Sequence, residues 1–334
     1  MKTIDTDGVA TPPFRQAIKM TGDDTVTPFQ IDGLESRGRI VRMGPQIDKM
    51  LRGHNYPEVV GRLLAEVTCL TLLLGSSLKF EGKFILQVQS DGPVSLVVVD
   101  FRTPGNVRGY ARFDEEQLGQ LSDDQLADPM AMLGAGTIAM TIDQGPHTSR
   151  YQGIVALDGT SLEDVAQTYF AQSEQIPTRF KLAVAQHISR REDGTLNTSW
   201  RAGGVQLQFL PRSTVAQPAR ELPGDGSSVV AQLEEDIDDR WVEAASLLGT
   251  VQDDELTDPA ISPKDLIFRL FNEHDQLVFE PVDVANVCSC SVESIEKVLA
   301  SFSAEERAGC VEDGSIQVKC EFCGTSYSFD PKQF

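Results

Sequence analysis

Two pairs of cysteines near the C-terminus constrain this chain more than any other feature. Cys288 and Cys290 spell C-S-C, Cys320 and Cys323 spell C-E-F-C before Gly324, and twenty-nine residues separate the pairs. Thiols spaced this way can converge as four soft ligands, the set that tetrahedral zinc prefers. Gly324 permits a tight backbone turn that lets amides face the sulfurs of the second pair. The first pair has one intervening residue where an ordinary zinc ribbon has two, so its thiols can also close on each other when oxidised. The spacing predicts a zinc site, one ion per chain, whose ligands double as a redox switch.

The residues around these cysteines predict a small unit. Ser291 is placed to cap a helix whose first turn carries Glu293, where the helix dipole favours an anion. Ser303 with Glu306 spells a capping box for a second helix. Asp313-Gly314 marks a turn, and 316–319 and 326–329 predict a hairpin flanking the C-x-x-C knuckle. So small a unit has little core, and metal binding supplies much of its folding free energy, on the order of 10 kcal/mol or more. Cys310, within the same stretch, reads as a buried small residue, or else as a thiol that can divert disulfide pairing. Cys69, far upstream on an apolar helix, reads as buried and inert.

Upstream, periodicity separates helix from strand. Pro57 suits the first turn of a helix in which Val59, Val60, Leu63, Leu64, Val67 and Leu70 recur at helical spacing, apolar almost all round by Leu74. From Leu78 the period becomes two, through Lys79, Phe80, Phe84, Ile85, Leu86 and Val88 to 96–99, with Asp91-Gly92-Pro93 as the turn. Residues 107–113, 137–142, 151–156, 179–186 and 204–210 predict further strands, and Ser161 caps a helix with Leu162, Val165, Ala166, Tyr169 and Phe170 on one face. His147 falls in a polar turn with no ligand-spaced partner. These alternations predict an α+β fold: a disordered leader of no assigned function over 1–31, then a mixed sheet and helix domain over 32–215.

Composition then shifts. Between Glu221 and Ala260 twelve Asp or Glu stand against one basic residue, Arg240, while Val229, Val230, Leu233, Ile237, Trp241, Ala244 and Leu248 recur at helical spacing. Crowded like charges destabilise an isolated helix, so this stripe needs a surface to cover; a solvated helix without regulatory meaning is the alternative. Ser262 and Pro263 open another helix with Leu266, Ile267, Leu270 and Phe271 inward, and His274 behind it is superfluous to a tetrahedron of four thiolates. Residues 216–280 thus read as an acidic helical linker and 281–334 as the zinc-binding module.

The bulk numbers exclude whole classes. A net charge of −21 over 334 residues argues against nucleic acid and against an anionic membrane surface. No apolar run approaches the roughly 18 residues of a membrane span, and 1–16 has no apolar region of a secretory signal, so the expected compartment is cytoplasmic, where thiols stay reduced. No P-loop or G-x-S-x-G elbow is present, Gly134-Ala135-Gly136 is too short for a dinucleotide fingerprint, and four thiolates leave a metal no open position for catalysis. The chain is not expected to be an enzyme.

Beyond the cysteines, four segments stand in a telling order: Leu78-Lys79-Phe80 with 87–93; Arg150-Tyr151-Gln152-Gly153; Tyr169-Phe170 leading into Ser173-Glu174-Gln175-Ile176-Pro177-Thr178; and Ala202-Gly203-Gly204. Together with C-x-C and C-x-x-C-G, they make the chain resemble the heat shock protein 33 family of redox-regulated holdase chaperones, from about Phe29 to Phe329. The resemblance implies zinc held by Cys288, Cys290, Cys320 and Cys323 in the reduced state. It implies oxidation by peroxide or hypochlorous acid to Cys288–Cys290 and Cys320–Cys323 disulfides, zinc loss, unfolding of module and linker, and ATP-independent capture of unfolding client proteins. It also suggests a homodimer on activation, although the sequence shows no dimer seam. Cys310 and the leader depart from the family pattern. The rival reading is a constitutive protein-interaction protein in which the zinc is a permanent staple.

Overall fold

The computed structural model describes residues 23–77, 81–145, 150–191, 193–210 and 238–334. In chain order, β1 (Thr25–Ile31) and β2 (Ser36–Met43) lead into α1 (Pro45–Arg52) and α2 (Glu58–Gly75). Strands β3 (Lys83–Ser90), β4 (Val94–Arg102) and β5 (Asn106–Phe113) follow, then short helices α3 (Glu115–Leu118), α4 (Asp123–Ala127) and α5 (Pro129–Leu133). After them come β6 (Gly136–Asp143), β7 (Tyr151–Ala156), α6 (Leu162–Tyr169), β8 (Thr178–Arg190) and β9 (Leu196–Phe209). The acidic region contributes α7 (Asp239–Gly249), α8 (Asp253–Thr257) and α9 (Pro263–Leu270), then β10 (Gln276–Val278), β11 (Val282–Asp283) and β12 (Ala285–Asn286). The C-terminal module is α10 (Val292–Ser301), α11 (Ala304–Gly309), β13 (Val311–Glu312), β14 (Ser315–Lys319) and β15 (Ser326–Phe329). The α+β class expected from the sequence is the class observed.

One sheet runs β10-β1-β2-β9-β8 with β11 also on β1; the second runs β12-β5-β4-β3-β6-β7; the module has its own sheet, β13-β14-β15. Helix α2 packs on both large sheets. Its sequence explains the position: it is apolar around most of its circumference, and fourteen of its eighteen residues are buried, as suits a helix packed between two sheets. Pro57 sits at the cap position just before it. Cys69 lies there fully buried, the inert thiol expected; burial drives its pKa far upward, helped by Glu66.

The outer face of the first sheet is covered by the acidic region. Trp241, Ala244 and Leu248 of α7, Leu256 of α8 and Leu266, Ile267 and Leu270 of α9 form one buried cluster with Phe29, Ile40, Val205, Leu207 and Phe209 of the sheet. The apolar stripe therefore does have its surface; its first residues, Val229, Val230, Leu233 and Ile237, lie outside the described residues, as do Leu78, Lys79, Phe80 and His147. Two buried arginines fasten the covering layer. Arg201 donates from Nε to the Thr257 carbonyl at 2.6 Å and pairs with Asp23, and Arg42 donates to the Asp258 carbonyl. Both reach the C-terminal end of α8, where helix carbonyls favour a cation. Gly203 makes the approach possible: a Cβ there would stand 2.4 Å from the Leu256 carbonyl oxygen.

Two sequence expectations differ from the fold. The stretch expected as a leader over 1–31 contains β1, whose seven residues pair with β2 on one side and with β10 and β11 on the other; residues 1–22 lie outside the described residues. Pro28 hides this strand, because proline in a strand normally marks an edge. Likewise β10, inside the expected helical linker, is a strand of the core sheet. No helix among the described residues is long and apolar enough to cross a membrane.

Candidate metal centre

The module is built as its local signals predict. Ser291 accepts from the Ser294 amide to cap α10, and Ser303 with Glu306 closes a capping box on α11. Strands β14 and β15 pair from Ile316–Phe329 to Lys319–Ser326, leaving 320–325 as the knuckle. There the Cys320 amide donates to the Thr325 carbonyl and the Gly324 amide to the Cys320 carbonyl at 2.8 Å. Gly324 adopts φ +70°, the left-handed conformation that favours glycine. A Cβ at that position would also lie 2.4 Å from the Gly53 carbonyl oxygen of the core.

Four sulfurs converge between the knuckle and the loop after β12. The ligand atoms of Cys288, Cys290, Cys320 and Cys323 all lie within 4.8 Å of one another. Cys288 and Cys320 are 3.7 Å apart, Cys290 and Cys323 3.4 Å. Thiolates 2.3 Å from a tetrahedral ion stand roughly 3.8 Å from each other, so the four cysteines can hold a metal ion. Outer contacts are in place as well: the Tyr327 hydroxyl donates to Cys290 at 3.1 Å and the Thr325 hydroxyl lies 3.2 Å from Cys323. The amides of Phe322 and Cys323 face the Cys320 sulfur, the arrangement expected of Gly324.

The thiols also disagree with one another electrostatically. Burial pushes Cys320 up to about 12, with the Phe322 amide opposing and the Cys288 thiol adding to the rise. Burial raises Cys290 too. At Cys323 burial is outweighed by the hydroxyl and amide of Thr325 and the neighbouring thiols, and its pKa falls to about 7. Four thiolates cannot share one site unaided, because each repels the next proton loss; a divalent cation removes that penalty.

The module docks on the second sheet. Strand β12 pairs in parallel with β5, and the Val287 amide continues the ladder to the Val107 carbonyl. Arg108 of β5, held by Asp100, donates to the Ser289 hydroxyl at 2.8 Å and reaches the Cys288 thiol. The same guanidinium lies 3.9 Å over the ring of Phe322. The Tyr110 and Phe322 rings meet edge-to-face with their centroids 4.8 Å apart, Arg112 pairs with Glu321 at 2.9 Å, and His54 Nε2 donates to the Phe322 carbonyl at 3.1 Å. Sequence reasoning missed these core residues. The available signal was Arg108-Gly109-Tyr110-Ala111-Arg112, whose period of two places a basic and aromatic row on one face of a strand.

Two other cysteine and histidine expectations resolve. His274 pairs with Glu243 at 2.9 Å and is not among the four clustered ligands. Cys310 is exposed, not buried. It caps the C-terminus of α11, and the module core buries only Leu299, Ile316 and Phe329, with five apolar side chains half-buried around them.

Comparison with known proteins places this architecture. The family model described as Hsp33 protein matches residues 24–330. The "33 kDa chaperonin" of Caulobacter vibrioides (strain NA1000 / CB15N) is 43% identical over 311 residues, covering 92% of this chain and 95% of that one. That of Vibrio cholerae is 34% identical over 303 residues, covering 90% of each. A crystal structure of the 33 kDa chaperonin from Thermotoga maritima has the same fold, with a TM-score of 0.66 at 20% identity over 92% of this chain and 96% of that one. The chain belongs to the Hsp33 family, whose members are chaperones and not enzymes.

Proposed function

We propose that this chain is a redox-regulated, ATP-independent holdase, inactive while reduced and metal-bound. The observation that carries the reading is the convergence of four cysteine sulfurs in a module that buries only three apolar side chains of its own, with five more half-buried around them. The ligand set fits zinc, which when bound supplies the divalent charge that keeps all four thiols deprotonated. Thiolates are the oxidisable form of cysteine. In each pair, two thiolates give two electrons to hydrogen peroxide, which takes up two protons and leaves as two waters while one S–S bond forms. The family resemblance supports Cys288–Cys290 and Cys320–Cys323 as the pairs. A disulfide across a single residue closes a strained ring, so it is readily reduced again.

Once the ligand set is lost, the module has too little core to stay folded. The strand β12 and the cysteine loop then leave β5, and the acidic layer loses the anchorage of its C-terminal neighbour. Releasing α7–α9 uncovers Ile40, Val205, Leu207 and Phe209, an apolar sheet face suited to segments of unfolding proteins. The cysteine usage supports a cytoplasmic setting, and a net charge of −21 keeps such an opened form soluble.

The test is light scattering by a thermally unfolding client protein, with a zinc chromophore in the same cuvette. The chain is added reduced and zinc-loaded, or after peroxide at mildly raised temperature, and disulfides are mapped by mass spectrometry. Suppression by the oxidised sample alone, with zinc release, supports the switch. Zinc retained through oxidation, or equal protection by both forms, makes the site a permanent staple.

A further inference from the structure

The knuckle tip does more than join two ligands. Phe322 projects onto the core between Arg108 and Tyr110, and Glu321 beside it pairs with Arg112. Arg108, Tyr110 and Arg112 alternate with the buried Val107 and Ala111, so all three stand on the outer face of β5. His54 is stacked on Tyr56 at 4.8 Å, and the Tyr56 hydroxyl accepts from the Ala111 amide. Arg108, Tyr110 and Arg112 belong to β5 of the core, and His54 and Tyr56 to the loop between α1 and α2; Arg108 keeps its Asp100 partner whether or not it also reaches Ser289 and Cys288. Asp100 fixes the Arg108 guanidinium with bonds of 3.0 and 2.7 Å. Beyond Val107 the outer edge of β5 pairs with no strand among the described residues, its Ala111 amide being taken by the Tyr56 hydroxyl, while β12 lies along its beginning in parallel.

We propose that this socket on β5 is a binding site for unfolded segments in which an aromatic residue follows an acidic one, and that Glu321-Phe322 occupies it in cis while the module is folded. The chemistry of the occupant gives the specificity. A ring is taken between a guanidinium above it and a tyrosine ring set edge-to-face with it, and a carboxylate is taken by Arg112. The locally basic row also sits on a strongly acidic protein, so it selects acidic segments against the general repulsion of the surface. When the knuckle unfolds, its tip leaves and the walls remain. This inference deepens the holdase reading and rests on it for the event that empties the socket.

The probe is a fluorescein-labelled peptide, Gly-Ser-Glu-Phe-Gly-Ser with blocked ends, followed by fluorescence polarisation on the full chain. Binding is expected to be at least tenfold tighter to the chelator-stripped chain than to the reduced, metal-loaded one. Replacing Phe by Leu or Glu by Gln in the peptide is expected to weaken it at least tenfold. Arg108→Ala with Tyr110→Ala should abolish binding while circular dichroism shows the core still folded. Phe322→Ala leaves all four cysteines in place, so the loaded chain should keep its metal yet bind the peptide. No binding to the stripped chain, equal binding to both forms, or binding indifferent to the socket substitutions would each overturn the proposal. Light scattering separates the two readings: an oxidised chain that protects clients but ignores the peptide overturns the socket alone, whereas peptide binding without any client protection overturns the holdase.

Discussion

Gly203→Ala is the sharpest perturbation the fold offers, because it acts at the contact between the core and its acidic cover. The new Cβ would stand 2.4 Å from the Leu256 carbonyl oxygen, where ordinary contact starts at 3.4 Å. The obstacle is backbone, so α8 has to lift by roughly 1 Å. That motion stretches the Arg201–Thr257 bond from 2.6 Å to about 3.6 Å, past hydrogen-bonding range. Overpacking costs roughly 1–3 kcal/mol, and the lost bond from a buried cation a further ~1.5–3 kcal/mol. A total on the order of 3 kcal/mol raises the population with α8 lifted about a hundredfold. Hydrogen exchange of the reduced, metal-loaded chain should show protection falling over 253–257 and neighbouring 239–249, with strands 178–209 unchanged. The same sample should suppress client aggregation partly without oxidant. Leu256→Ala, which empties a fully buried position at a cost of roughly 2–5 kcal/mol, should move both readings the same way without touching the sheet backbone. Unchanged protection over 253–257 would refute the reasoning; loss across the whole sheet would show global unfolding in place of a released cover.

Three further expectations concern the metal and two half-buried titratable groups. Stripping the metal should abolish exchange protection over 292–329 while residues 25–209 keep theirs, since the module core buries only Leu299, Ile316 and Phe329; retained protection would mean the module folds unaided. Burial lowers the His54 pKa below 6.5, against the Phe322 carbonyl, with Lys319 adding to the fall. The unfolded state therefore binds the extra proton first, and docking stability present above pH 6.5 is lost as pH falls through the folded value; a His54 ring resonance titrating at or above 6.5 contradicts this. Glu66 on α2 is raised to about 8 by burial, with Glu163 next, so its stabilising contribution is complete below 4.5 and lost as pH rises through 8. Glu66→Gln should raise Tm by roughly 5 °C or more at pH 8 and leave it unchanged near pH 4.

Much of the molecule is legible in its sequence, and the reason is locality. Helix caps at Ser161, Ser262, Ser291 and Ser303 depend on atoms within three residues, and all four serines cap helices where expected. The four thiols were legible because their paired spacing stands in the chain, and the apolarity of α2 around most of its circumference announced its burial. What depended on distant partners was not legible. Strand β1 escaped because Pro28 looks like a breaker until β2, β10 and β11 flank it. The exposure of Cys310 was decided by how little the module can bury. Sequence alone picked out the four cysteines that converge and the α+β class, and left the acidic helix either a cover or a solvated face. Only the tertiary structure brought Phe322 onto Arg108 and Tyr110, and Gly203 under Leu256, because contacts between residues so far apart are set by strand order and packing, which leave no local trace.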